Sequence, residues 1–142
     1  MKKTRSDCPI SCALDLLGDK WTLLILRDIM LRGKASFSDF LASEEKIATN
    51  ILTTRLHRLE TEQIVTRKVA PNNKSKFLYQ LTAKGIDLLP LLIELMDWGA
   101  KYHAHCPRMA LGRKIQKDKA GVIAAYREEL NKQLTPPAAG TR

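Results

Sequence analysis

Apolar and polar positions along the chain keep a helical period up to residue 61, alternate in the manner of strands over the next twenty, and then return to a helical period. Cys12 to Leu17 reads as a short helix that Gly18-Asp19 ends. Trp21 to Met30 (WTLLILRDIM) reads as a core helix with Leu23, Leu24, Leu26 and Ile29 inward, stopped by Gly33. Ser36 is placed to cap a third helix, SFSDFLA, that buries Phe37, Phe40 and Leu41. After a turn at Ser43–Lys46, Ile47, Ile51, Leu52, Leu56 and Leu59 mark the inner face of a helix from Thr49 to Thr61. Its outer face carries Thr49, Asn50, Thr53, Thr54, His57 and Arg58, where a scaffold helix more often has Glu, Lys and Ala. Thr49 stands where it would cap that helix.

The segments IVTRKVA and FLYQLT alternate as strands, and PNNKSK between them favours a turn, so a β-hairpin is expected. Gly85 is expected to open a long helix, DLLPLLIELMDWGAKYH, apolar at Leu88, Leu91, Leu92, Leu95, Met96 and Trp98, with Pro90 tolerated near its first turn. The stretch RMALGRKIQKDK is basic and weakly patterned. A last helix is predicted over 118–133, from Val122, Ile123, Tyr126 and Leu130, before a frayed PPAAGTR tail.

Charge sharpens this outline. The net charge of +9 is unevenly spread: residues 1–45 balance, 46–84 carry +6, 85–106 carry −2 and 107–142 carry +5. The first positive block coincides with the threonine-faced helix and the hairpin. At the hairpin Arg67, Lys68, Lys74 and Lys76, with Asn73, form a polar tip that has no acidic residue from 67 to 76. Such a distribution favours a polyanion partner. The 142 residues, 44% hydrophobic, suffice for one core. Cys8, Cys12 and Cys106 are too few for a disulfide-stapled secreted domain, and neither a CxxC nor an HExxH spacing is present. His103, His105 and Cys106 are the nearest approach to a metal-ligand group, and no metal or other cofactor is expected. The basic N-terminus has no apolar run behind it, and no stretch suits a membrane span, so a cytoplasmic protein is the expectation.

Two helices joined by a tight turn and followed at once by a basic hairpin form a winged helix-turn-helix, a mostly α fold with a small β-hairpin wing. In that motif the second helix enters the major groove of double-stranded DNA. Small hydroxyls and an asparagine permit close approach, and threonine methyls meet thymine methyls. Arg58 and the wing lysines have the reach for phosphates.

The resemblance goes beyond architecture. CPISCALDLLGDKWTLLILRDIM, the spacing of Phe37, Phe40 and Leu41, IATNILTTRLHRLE, FLYQLTAKG and LLPLLIELMDWG occur in this order. Together they resemble the HxlR-type family of bacterial winged-helix transcriptional regulators over roughly residues 8–105. The resemblance implies a homodimer in which helix 49–60 reads DNA and residues 67–79 form the wing. It also implies an interface drawn from residues 8–17 and 86–104, with Leu14, Leu17, Leu88, Leu92, Leu95 and Trp98 as the candidates. The family's polar positions fall on Lys20, Trp21, Thr53 and Arg55; Arg55 lies between core positions and is open to contacting phosphate or tying helices together. Gln63 stands where the family usually has glycine, which predicts a wider turn or a strained conformation there. The wing strand KSKFLYQL also departs from the family's proline and Val-Tyr pair. Residues 106–142 are expected to be a basic C-terminal extension with one helix, either packed across the dimer or added to the DNA footprint.

Some relatives sense oxidants or electrophiles through a cysteine at the position of Cys8, and Lys2, Lys3 and Arg5 would favour its thiolate; an inert thiol is the other reading. The lead expectation is a sequence-specific regulator on a palindromic operator. The alternatives are a weakly specific architectural DNA binder, a redox- or electrophile-responsive regulator acting through Cys8, and a winged helix used for protein contact. No catalytic residue is nominated, because no nucleophile–base pair, carboxylate pair or glycine-rich phosphate loop is present. A small-molecule effector, in a cavity between helices 21–31 and 86–104, is left open.

Overall fold

A computed structural model describes residues 4–103 and 110–134. The chain folds as α1 (Pro9–Leu17), α2 (Thr22–Arg32), α3 (Phe37–Leu41), α4 (Thr49–Thr61), β1 (Val65–Ala70), β2 (Asn73–Leu81), α5 (Ala83–Ile86), α6 (Leu89–Tyr102) and α7 (Ala110–Lys132). The mostly helical fold with one antiparallel hairpin is the arrangement expected from the sequence, and no helix among the described residues is long and apolar enough to cross a membrane.

Several boundaries differ, each for a local reason. Helix α1 starts at Pro9, not Cys12, because proline suits the first helical position. In α2 the buried set is Ile25, Leu26, Ile29 and Met30 together with Thr22 and Asp28, while Leu23 and Leu24 are only half-buried. Gly33 ends α2 in the left-handed conformation, at φ 63°. Ser36 caps α3 as expected, and Asp39 reaches back to the Ser36 amide to complete a capping box. Thr49 is not a cap. It is the first helical residue of α4, and Ala48 precedes it in extended conformation with no side-chain hydrogen bond.

Helix α4 ends in a Schellman turn. Gln63 N–H donates to Glu60 O at 3.0 Å and Ile64 N–H to Leu59 O at 2.9 Å. Gln63 sits at φ 59°, so the strained conformation foreseen for it is present. The turn delivers Ile64 and Val65 into the core, at 2% and 0% exposure.

The hairpin pairs Val65 with Leu81 through Val69 with Phe77, then shifts register so that Ala70 pairs with Asn73. Residues 74–76 therefore form a bulge on β2, and the turn itself is only Pro71-Asn72, shorter than the PNNKSK turn expected. At the base of the wing, Thr82 Oγ1 donates to Gln63 O at 2.6 Å and also accepts from Gly85 N–H at 3.1 Å. Gly85 is thus inside α5, a separate turn of helix capped by Thr82, and does not open α6. Pro90 lies in the first turn of α6.

The extension is more ordered than its weak pattern predicted. Helix α7 runs from Ala110, with a break at Asp118 (φ −155°, ψ 76°), and packs back on α6. It adds Ile115 and Leu130 to the core, and Lys119 bridges Glu94 and Asp97 at 3.0 and 2.7 Å. The PPAAGTR tail, His105 and Cys106 lie outside the described residues.

A Cβ built at Gly85 would overlap the carbonyl oxygen of Ile64 and come within 3.0 Å of Leu81 Cδ2. Gly85→Ala is therefore expected to cost about 1–3 kcal/mol, as overpacking against backbone does. Urea unfolding should show a lower midpoint at unchanged slope; an unmoved midpoint would mean that the strand–α5 junction yields freely.

Candidate nucleic-acid interface

Helix α4 is held by its inner face and by one charged tie. Leu52, Leu56 and Leu59 are at most 2% exposed. Asp19, in the turn before α2, accepts from the amides of Trp21 and Thr22 at 2.9 and 3.0 Å, from Thr22 Oγ1 at 2.6 Å, and from Arg55 Nε at 3.0 Å. Arg55, for which two roles were open, makes the contact that the helix-tying role requires. Arg58 is likewise directed at α1, where Nη2 donates to Asp15 O.

Thr49, Asn50, Thr53, Thr54 and His57 remain exposed on the outer face. Thr53 and Thr54 donate their hydroxyl protons to Thr49 O and Asn50 O, one turn back, at 2.9 and 2.8 Å. Each hydroxyl thus turns outward as an acceptor beside a methyl group.

The wing presents Arg67, Lys68, Asn73, Lys74 and Lys76, all exposed. Lys74 and Lys76 occupy the bulge, and Asn73 Oδ1 accepts from Ser75 N–H at 3.0 Å, which shapes it. Arg67 is held from two sides: it pairs with Glu60 at 3.2 Å and lies over the Phe77 ring at 4.4 Å. Between α4 and the wing runs an open cleft of about 440 Å³, lined by Phe37, Thr53, His57, Glu60, Thr61, Arg67 and Tyr79. The wing is moored to α3 by Tyr79 N–H donating to Ala35 O at 2.8 Å. The structure therefore brings the helix and wing candidates to one basic, concave face.

The residues nominated for an interface divide. Leu17 and Leu92 are packed in the chain's own core, each 7% exposed, and Leu88 is half-buried. Leu14, Leu95 and Trp98 are uncovered at 51%, 47% and 61%. They continue rows the sequence reading left incomplete: Ile10 with Leu14 on α1, and Leu91, Leu95, Trp98 and Tyr102 on α6. Cys8 is exposed in the extended residue just before α1, and Cys12 is exposed one turn further on. Among the described residues no group of His, Cys, Asp and Glu side chains suits a metal ion.

Asp19, Asp28 and Glu60 were also missed. A carboxylate just before a helix start is a readable cap signal for Asp19. Asp28 is a buried acid, which Ser43 Oγ reaches and which Arg27 Nη2 reaches at 2.9 Å; nothing in its spacing announces that. Glu60 is recognisable only once the wing is folded beside it.

Comparison with known proteins bears on this geometry. Residues 16–106 match the HxlR-like helix-turn-helix family model. The HTH-type transcriptional regulator YdeP of Bacillus subtilis is 32% identical over 109 residues, which cover 77% of this chain and 84% of that one. Among solved structures, the redox regulator HypR in its reduced form is similar at TM-score 0.60 and 31% identity, over 68% of this chain and 94% of that one. Quinone-bound YodB from B. subtilis is similar at TM-score 0.54 and 30% identity, over 67% of this chain and 99% of that one.

Burial works to raise the Asp19 pKa, but the hydrogen bonds from Thr22, Arg55 and the Trp21 amide outweigh it and lower it from 3.8 to about 2. A carboxylate lowered by folding stabilises above its unfolded value and loses that contribution as the pH falls towards its folded value. From pH 3.8 down to about 2 the natural chain should lose more stability than Asp19→Asn. Denaturant midpoints across that range test this, and parallel curves would remove the assignment.

Proposed function

The chain belongs to the HxlR-like helix-turn-helix family of DNA-binding, non-catalytic transcriptional regulators, and from that premise we propose a homodimer that grips a two-fold symmetric operator and responds to oxidants or electrophiles through Cys8. Helix α4 enters the major groove with Thr49, Asn50, Thr53, Thr54 and His57 towards base edges. The wing lays Arg67, Lys68, Asn73, Lys74 and Lys76 along backbone or minor groove. Arg55 and Arg58 act chiefly by setting the angle of α4. Residues 8–105 carry DNA reading and dimerisation, and α7 braces α6 from behind.

The observation that carries the regulatory part is the position of Cys8. Its thiol is exposed immediately before α1, whose Ile10 and Leu14 are 71% and 51% exposed. Uncovered apolar rows of this kind on α1 and α6 suit a second copy of the chain. A group added at Cys8 would stand beside that contact and alter how two α4 helices are spaced. A quinone would add by forming a bond from thiolate sulfur to ring carbon, with the electron pair passing to the ring oxygen. HypR, described as a redox regulator, and YodB, solved with quinone bound, support this reading over a purely architectural role.

The test is selection from a random duplex library at near-physiological salt, with reduced protein, with methyl-benzoquinone-treated protein and with Cys8→Ser. The reduced chain should enrich a symmetric motif with half-sites about 10 bp apart or a multiple of it. Quinone should change the affinity of the natural chain and leave Cys8→Ser unmoved. Unselective recovery would favour the architectural role, and an equal response of both proteins would place sensing elsewhere.

Lys74→Ala and Lys76→Ala should each weaken all duplexes alike and lower the salt slope of the dimer by about two, one contact being lost from each protomer, whereas Thr53→Ala should change the motif. Binding isotherms at several salt concentrations separate these outcomes.

A further inference from the structure

A cavity of about 540 Å³ lies between α1, the C-terminal end of α4 and α5, away from the cleft beside the wing. Its size is in the range of small-ligand sites, about 300–1,000 Å³. Ala13, Leu16, Leu17, Ile64 and Leu88 make an apolar wall, and Arg5, Arg58 and Lys84 stand around it. We propose that this cavity binds a small monocarboxylic acid with an apolar body.

The charge count and the donors argue for that class. Among the described residues three cations line the cavity with two carboxylates, Asp15 and Glu62, so the described lining has one positive charge in excess. A monoanion balances it, and a dianion overshoots. Arg5 Nε donates to Asp15 Oδ1 at 2.6 Å, Arg58 to Asp15 O, and Lys84 Nζ to Glu62 O at 2.8 Å. Guanidinium and ammonium groups carry several donors, more than the contacts named here engage, and a carboxylate can be received by the others. A neutral apolar ligand would cover the same cations without replacing their water, which is unfavourable. The site differs from the one expected between α2 and α6, and it needs no chemistry at Cys8. Because Arg58 belongs to α4 and Glu62 caps its C-terminal end, the occupant touches the helix that the regulatory reading assigns to DNA.

Cys12 lines the cavity with an exposed thiol and supplies the reporter. In full-length Cys8→Ser/Cys106→Ser protein it is the remaining thiol, and its alkylation by N-ethylmaleimide can be followed by intact mass. Titration with 2-naphthoate should slow that reaction saturably, and 2-naphthamide, of the same shape without the charge, should bind roughly tenfold more weakly or worse. Ala13→Trp, a substitution at an exposed position that fills the cavity, should abolish the protection with the melting temperature retained. Lys84→Gln should weaken protection by the acid and leave the amide unaffected. Absence of saturable protection, equal protection by acid and amide, or protection that survives Ala13→Trp would each overturn the proposal. No DNA enters the measurement, so its outcome is separate from that of the operator and Cys8 experiments.

Discussion

One carboxylate joins the two halves of the DNA-reading unit. Asp19 caps α2 through the amides of Trp21 and Thr22 and, with the same oxygen, receives Arg55 from the middle of α4. The turn between α1 and α2 is thereby the anchor for a helix that begins some thirty residues later in the chain. Apolar packing of Leu52, Leu56 and Leu59 fixes how deep α4 sits, but such packing is non-directional and leaves rotation and tilt soft. A charge-assisted hydrogen bond is directional and removes that freedom. Arg58, bound to Asp15 O, adds a second point along the same helix edge, so α4 is tied to α1 and the following turn at two places.

The other side of α4 is set by a buried acid. Asp28, only 3% exposed, gathers Arg27 at 2.9 Å and Ser43, with Arg32 at 3.6 Å, while Arg27 also reaches Glu45. Ser43 and Glu45 belong to the turn that delivers the chain into α4. An acid so buried is tolerable only with partners of this kind. The wing is then placed by hydrogen bonds to backbone carbonyls: the Tyr79 amide to Ala35 O at its outer side, and the Thr82 hydroxyl to Gln63 O and Ile64 O at its base. Helix and wing are consequently joined into one face by these bonds.

Element types were legible because apolar spacing alone separates helix from hairpin; some ends, such as Gly33 and Thr61, were legible too, and others were not, because they depend on which backbone groups find partners. Pro9, Thr82 and the bulge at 74–76 show this: each shifts a boundary through one or two hydrogen bonds that periodicity does not encode. Gln63 was legible as a departure from glycine, and its left-handed φ follows from the Schellman turn that α4 needs in order to bury Ile64. For the site, exposed threonines and lysines could be listed from sequence, yet Leu17 and Leu92 could not be told from Leu14 and Leu95. All four recur at helical spacing, and only the packed structure decides which leucine faces the chain's own core. The first half of α7 escaped notice because it carries few apolar side chains; Gly112 matters there by letting α7 approach, since a Cβ would lie 2.7 Å from that of Ala100.

The division of labour on the basic face follows from its hydrogen bonds. The exposed side of α4 offers no lysine, and both its arginines make contacts inward, to Asp19 and to Asp15 O, so in the proposed reading it contributes little to sequence-independent attraction. In the proposed reading that attraction comes from the wing, where Lys68, Lys74 and Lys76 are exposed and Arg67 is steadied by Glu60 and Phe77. On α4 the hydroxyl protons of Thr53 and Thr54 are already spent on the helix. What these residues offer to a base edge is a methyl group and an oxygen lone pair, a combination matched by the thymine methyl and by the amino groups of adenine or cytosine. Guanine, which presents only acceptors in the major groove, gains nothing from them. If the proposed reading holds, specificity is carried by small side chains held close, and affinity by long charged ones held at the wing.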